Sequence, residues 1–350
     1  MTLALRYPAP LRAGDLVAVT APSSGVPPAL HARLDLALEH TRAQGFRVEE
    51  GGCLRDEVQS ASASAEARAA ELMRLLLRPD VAAIIPPWGG ELAIELLDRL
   101  DFEALRAEPP KWVMGYSDTS TWLLPLTLRS GWATAHGPCL MDLVAGQNDA
   151  LTANAMAVLG SERGAVVTQR ASSHWQSKWT DFAVKPEVTY ALTEPTRWRC
   201  LNQPAAAEVA CSGRLIGGCV DTLVHLAGTR FGNVAAFIDQ HRIEGTLLYL
   251  ENSGMSPTEL VRAVHRLRWS GWLDGLTGLL IGRSAAPDTT RAEHMRYAQA
   301  LDHLFADMPC PVLVDMDIGH MPPQLVLVNG ARAEVRLSDA GGGVLRQWLA

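Results

Sequence analysis

Val81-Ala82-Ala83-Ile84-Ile85 is an unbroken run of five apolar residues, closed by Pro86-Pro87-Trp88-Gly89-Gly90. A strand with one wet face alternates apolar and polar side chains, whereas a run with no polar member is apolar on both faces and reads as a strand covered from both sides. Runs of the same kind stand at Leu16-Val17-Ala18-Val19-Thr20 and Lys111-Trp112-Val113-Met114-Gly115. Helical stretches separate them: Ala29 to Gln44, Ala61 to Leu77, Glu91 to Leu100 and a segment reaching Leu128, after which Trp132-Ala133-Thr134-Ala135 supplies a further strand. Short apolar strands alternating with helices predict a parallel sheet with helices on both faces, so the N-terminal part is a doubly wound α/β domain.

Beyond about Gly146 the pattern changes. Val166 to Gly213 carries short, polar-interrupted stretches with Trp175, Trp179 and Trp198, and reads as a linker followed by an irregular region containing β-structure. Strand-like runs return at Thr246 to Leu250, Leu276 to Ile281, Pro311 to Val314 and Leu325 to Val328, which predicts a mixed α/β C-terminal domain rich in β-structure. At 350 residues the chain exceeds what one hydrophobic core usually serves. The expected organisation is therefore an α/β domain over 1–150, a linker and loop region over 151–205, and a C-terminal domain over 206–350.

Composition excludes several classes of function. The net charge is -7 and the 31 Lys and Arg residues are scattered, so there is no basic footprint for a phosphate backbone and nucleic acid is not an expected partner. No run has the length and purity of a membrane-spanning helix, and the first fifteen residues lack the apolar core and cleavage site of a secretory signal. The six cysteines are widely spaced, with no Cys-x-x-Cys pair and no zinc-finger cluster. They read as buried reduced thiols, which fits a cytoplasmic protein. No metal or organic cofactor is expected.

The chemistry-bearing positions lie where strands end. After Lys111 to Gly115 comes Tyr116-Ser117-Asp118-Thr119-Ser120, a strand that stops and a helix that starts at once. Such a turn can present a serine hydroxyl and aim the next backbone amides at developing negative charge, as in a nucleophile elbow, although Thr119 stands where a second glycine is usual. Ser117 in that context also fits a helix N-cap. Gly89-Gly90 and Ala21-Pro22-Ser23-Ser24-Gly25 end parallel strands at the same sheet edge, where ligands of such sheets bind. Paired glycines allow close backbone approach to a ligand or act as a plain strand-to-helix link. A serine nucleophile needs a base and the base an acidic orienter. Of ten histidines, His136 and His320 sit in Gly/Pro loops after strands, and Glu251 ends the apolar run Thr246 to Leu250.

Taken in order, these motifs resemble the LD-carboxypeptidase family of serine peptidases, which includes the microcin C self-immunity peptidases. The resemblance is carried by Gly14-Asp15, Ala21-Pro22-Ser23-Ser24, Gly89-Gly90, Gly115-Tyr116-Ser117-Asp118, His136-Gly137-Pro138, Gly213 to Cys219, Leu250-Glu251, and Gly319-His320 followed by Pro323. It implies Ser117 as nucleophile, His320 as general base and then acid, and Glu251 as the carboxylate orienting it. The Asp118 amide and that of Gly89 or Gly90 would form the oxyanion hole, in a cleft between two domains of a homodimer. Typical murein tetrapeptide carboxypeptidases show Arg-Gly-Gly-Tyr where this chain has Trp88-Gly89-Gly90-Glu91, and Gly-Gly-Asn where it has Gly217-Gly218-Cys219. The Gly-Gly-Cys form and Trp179-Thr180-Asp181, with Trp198 downstream, are similar to the microcin-immunity branch. The expected substrate is therefore a small peptidyl or aminoacyl nucleotide conjugate, with Ser23, Trp179 and Cys219 among the residues that bind it. Trp179 and Trp198 either stack on a nucleobase or fill a core. A murein tetrapeptide, or a ligand bound without turnover, are the alternatives.

Overall fold

The computed structural model describes residues 3–179, 181–338 and 342–349. Its first sheet is built from β1 (Leu16–Val19), β2 (Arg47–Glu50), β3 (Val81–Ile84), β4 (Trp112–Gly115) and β5 (Ala135–His136), all parallel where they pair. The unbroken apolar runs behave as the two-faced reading requires. In β1, Leu16 and Ala18 join one core cluster while Val17 and Val19 join another, and in β4 Val113 points to the first while Trp112 and Met114 point to the second. Helix α1 (His31–Ala43) covers one face through Leu34, Ala37 and Leu38; α2 (Ala65–Leu77) covers the other through Ala69, Leu72, Leu75 and Leu76. The doubly wound α/β arrangement follows from that two-sided burial.

The segment read as a 91–100 helix is shorter. Only Ala93–Leu96 coils, as a 3-10 turn, because Gly89-Gly90 holds the preceding chain against the Ser23-Ser24 loop: a Cβ on Gly90 would lie 2.4 Å from the Ser23 hydroxyl oxygen.

The remaining strands are β6 (Val166–Arg170), β7 (His174–Trp175), β8 (Glu194–Pro195), β9 (Arg199–Cys200), β10 (Glu208–Cys219), β11 (Thr246–Glu251), β12 (Gly278–Gly282), β13 (Val312–Met316), β14 (Leu327–Val328), β15 (Arg332–Ser338) and β16 (Gly343–Trp348). Eight of them make a second sheet in the order β6-β16-β15-β10-β11-β12-β13-β9. Its centre, β10 to β13, is parallel and its flanks are antiparallel. The 166–213 region thus contributes both edge strands and the first half of the twelve-residue β10, with β7 and β8 forming a separate hairpin-like pair. Its polar interruptions reflect edge positions: β6 is mostly exposed. Strand β14 leaves its neighbours in sequence and pairs with β5 in the first sheet. No helix of the described residues is long and apolar enough to cross a membrane.

Candidate active site

Parallel sheets deliver their functional side chains at the carboxyl ends of the strands, and the segments following β1, β3, β4, β10, β11 and β13 meet here. At the end of β4 the chain turns through Ser117, whose φ of 60° lies in the left-handed region. A non-glycine residue held there costs on the order of 1–3 kcal/mol and is a mark of functional turns. Ser117 is the first residue of a 3-10 turn over Ser117–Thr119 whose N-cap is Tyr116, so it does not occupy the cap position itself. The hydroxyl instead meets a histidine.

Glu251 ends β11, fully buried, next to Cys219 at the end of β10 because the two strands run parallel in that register. His320 lies on the loop after β13. Its Nδ1 is 2.7 Å from Glu251 Oε2 and its Nε2 is 3.0 Å from Ser117 Oγ. Three side chains separated by up to 203 positions therefore stand in one hydrogen-bonded line. Gly319 makes room for this: with φ at 86°, a Cβ there would sit 2.4 Å from the Glu251 carboxyl carbon. The loop is fixed by Asp317, fully buried, which pairs with Arg283 at 2.5 Å and accepts from the Ser172 amide and the Trp198 indole.

Charge follows the geometry. Burial alone would lower the His320 imidazole, but the Glu251 carboxylate beside it outweighs this and holds the ring above the ordinary histidine value. Glu251 is held below the usual carboxylate range although burial opposes it, because His320 attracts its charge and donates to it. His136, the other loop histidine, is fully buried between Tyr116 and Tyr249, and neither ring nitrogen has a partner. Burial drives it down to about 4. It does not reach Ser117.

Gly89 approaches Ser117 so closely that a Cβ on it would stand 2.8 Å from the hydroxyl oxygen and 3.0 Å from the Asp118 amide nitrogen. The glycine backbone, the serine hydroxyl and that amide thus surround one point. Asp118 itself faces inward: its carboxylate accepts from the Ser23 and Thr121 hydroxyls and from the Ala93 amide, tying three loops together. Ser23 serves that tie from a buried position and does not line the cleft; Ser24 does.

The cleft above Ser117 encloses about 380 Å³, in the range of small-molecule sites. Ser117, His320, Gly89, Gly90 and Tyr116 form its floor, and Trp88, Met141, Trp179 and Phe182 its apolar walls. Trp179 is half exposed, and the Trp88 indole is held by the Ser24 carbonyl. Glu57 and Asp142 are its charged members. Burial pushes Asp142 up to about 6. No Lys or Arg lines the cleft among the described residues. Trp198 is a core aromatic, buried against Asp317 and Gly343, and does not line the cleft. Cys219 lies behind the cleft, buried beside Glu251. Sequence reading missed Asp142 and Phe182. Asp142 looks like a helix cap, which it also is, accepting from the Cys139 amide; Phe182, three residues past Trp179, carried a signal that was legible. A larger hollow of about 630 Å³ between Asn148–Asn154 and the β6 edge contains none of these groups.

Known proteins match this chain along nearly its full length. Residues 17–137 match the LD-carboxypeptidase N-terminal domain and residues 212–335 the LD-carboxypeptidase C-terminal domain. A putative carboxypeptidase of Streptomyces coelicolor is 30% identical over 97% of this chain and 94% of its own. The microcin C7 self-immunity protein MccF of Escherichia coli is 24% identical, covering 97% of this chain and 96% of its own. A structure of MccF in complex with glutamyl sulfamoyl guanosine superposes with a TM-score of 0.81 over 100% of both chains at 21% identity, which establishes the shared mixed α/β fold. The matched regions define the class, a peptidase. The chain belongs to the LD-carboxypeptidase family.

Proposed function

We propose that this peptidase is a serine amide hydrolase whose nucleophile is Ser117, whose general base and then acid is His320, and whose orienting carboxylate is Glu251. The observation that carries the reading is the single imidazole lying 3.0 Å from the hydroxyl and 2.7 Å from the buried carboxylate. As Ser117 Oγ bonds to the amide carbonyl carbon, its proton passes to Nε2, while Glu251 holds Nδ1–H and favours the imidazolium that forms. The carbonyl oxygen becomes an oxyanion beside the Asp118 amide and the Gly89-Gly90 backbone; one donor of this kind contributes about 3–4 kcal/mol to transition-state stabilisation. Protonation of the leaving nitrogen by His320 breaks the amide, and water, deprotonated by the same ring, releases the acyl group.

The substrate class we infer is a peptidyl or aminoacyl nucleotide conjugate of the microcin C type. Trp179, Phe182 and Trp88 offer flat apolar faces beside Ser117, and stacking on a base contributes about 1–3 kcal/mol. A cleft walled by Glu57 and Asp142 without a lysine or arginine suits a free terminal carboxylate poorly. MccF, with the same fold, has been captured with aspartyl sulfamoyl adenosine and with adenosine monophosphate. Murein peptide carboxypeptidases of Bacillus subtilis and Pseudomonas aeruginosa are also relatives, so the test offers the purified chain both an aminoacyl sulfamoyl adenosine and a murein tetrapeptide. Release of the amino acid from the first and not the second is expected. Cleavage of the tetrapeptide alone would overturn the substrate reading, and turnover by the Ser117→Ala variant would overturn the mechanism.

A further inference from the structure

Behind the imidazole, on the side away from the cleft, the ends of β10 and β11 bring a thiol and a carboxylate together. Cys219, Glu251 and His320 each offer a donor atom, and the three atoms lie within 4.8 Å of one another. Glu251 Oε1 is buried, with no hydrogen-bond partner. That is an unused acceptor in a dry interior, where an unpartnered charged oxygen is costly. Asp221 stands 3.5 Å from the Cys219 sulfur, and the amides of Ser253, Gly254 and Met255 fix its carboxylate there. The thiol thus stands between two carboxylates, one of which holds the imidazole.

We propose that Cys219, Glu251 and His320 are the protein ligands of a site for a thiophilic divalent cation of the Zn2+ class, and that its occupation shuts the peptidase off. Thiolate, carboxylate and imidazole are the donors Zn2+ takes, and a tetrahedral ion holds sulfur and nitrogen or oxygen donors roughly 3.5 Å apart, so modest side-chain turns close the site. The thiol proton leaves to solvent as the metal–sulfur bond forms, Glu251 contributes an oxygen lone pair, the ring loses the proton on Nδ1 and, neutral with its proton on Nε2, contributes the Nδ1 lone pair, and water fills the fourth position. The ring and carboxylate so engaged are the pair assigned to Ser117. The inhibitory consequence therefore rests on the triad reading; the metal binding does not.

Co2+ is the probe. Added to the full chain, it is expected to give the visible bands of a tetrahedral ion together with a near-ultraviolet thiolate-to-cobalt band, both removed by Zn2+. The same spectrum is expected in Ser117→Ala. In Cys219→Ser the thiolate band should vanish and the dissociation constant rise at least tenfold; Glu251→Gln should keep the thiolate band and weaken binding by a similar factor. A thiolate band unchanged in Cys219→Ser, or only the pale spectrum of octahedral cobalt in the parent chain, overturns the site. In parallel, Zn2+ should slow fluorophosphonate labelling of Ser117, and Cys219→Ser should need at least ten times more Zn2+ for the same slowing. Equal sensitivity of the two proteins overturns the inhibitory role. A parent chain that never labels refutes the triad instead, while the cobalt spectrum still judges the metal site.

Discussion

Gly319→Ala tests the line of three side chains without touching any of them. The added Cβ would stand 2.4 Å from Cγ, Cδ and Oε2 of Glu251, where 3.4 Å is the start of ordinary contact, so the carboxylate must retreat by about 1 Å. The 2.7 Å bond to His320 Nδ1 then stretches beyond hydrogen-bonding range. Misplacing a catalytic group by 1 Å costs about 100-fold in rate. The φ of 86° adds roughly 1–2 kcal/mol of backbone strain. Gly164→Ala separates the two effects, since Gly164 has nearly the same φ, 83°, with nothing within 4 Å of its would-be Cβ. The assay is the second-order rate of fluorophosphonate labelling of Ser117, with thermal melting of both variants. Gly164→Ala should lose stability and label at the parent rate, whereas Gly319→Ala should melt cooperatively and label about 100-fold more slowly. A folded Gly319→Ala that labels within twofold of the parent would refute the claim that Glu251 sets the reactivity of Ser117.

Activity should fall as pH drops through a value above 6.5, because the raised His320 must lose its proton before it can accept one from Ser117; Glu251→Gln should move that limb downward in the kcat/KM profile while cutting the rate by about 10³-fold or more. His136 titrates near 4 when folded and near 6.5 when unfolded, so the stability its neutral ring contributes is complete above 6.5 and is lost as pH falls toward 4. The stability gap between the parent and His136→Phe should accordingly shift by about 3 kcal/mol in favour of the variant over that window, as measured by urea unfolding. Asp317→Ala leaves Arg283 as a buried unpaired cation and should cost about 3–5 kcal/mol on denaturant unfolding. Trp179→Ala should raise KM for an aminoacyl nucleotide conjugate by about tenfold or more with kcat little changed, as expected for a lost stacking contact.

The doubly wound sheet was legible because β1, β3 and β4 lie between two layers and carry apolar residues on both faces. Strand ends were legible too, since Ser117, Gly89, Glu251 and His320 each follow an apolar run. What sequence could not supply was long-range pairing. β14 is two residues long and announces nothing of its switch to the first sheet, and β6 looks like loop because an exposed edge strand has no need of apolar alternation. Identity of residue type also hides environment. Trp179 and Trp198 read alike, yet one stands in the cleft wall and the other is sealed against Asp317. Asp142 draws its interest from desolvation, which is a property of its neighbours.

The stitching of β14 onto β5 has an architectural price. A fragment ending near residue 150 would leave Ala135–His136 with a raw, unzipped margin, and a fragment starting near 206 would carry an orphan ribbon with nothing to dock on. Neither half is a free-standing cassette, so hydroxyl and imidazole are inherited together, and recombination that exchanged one lobe for a cousin's would have to match this seam as well as the chemistry.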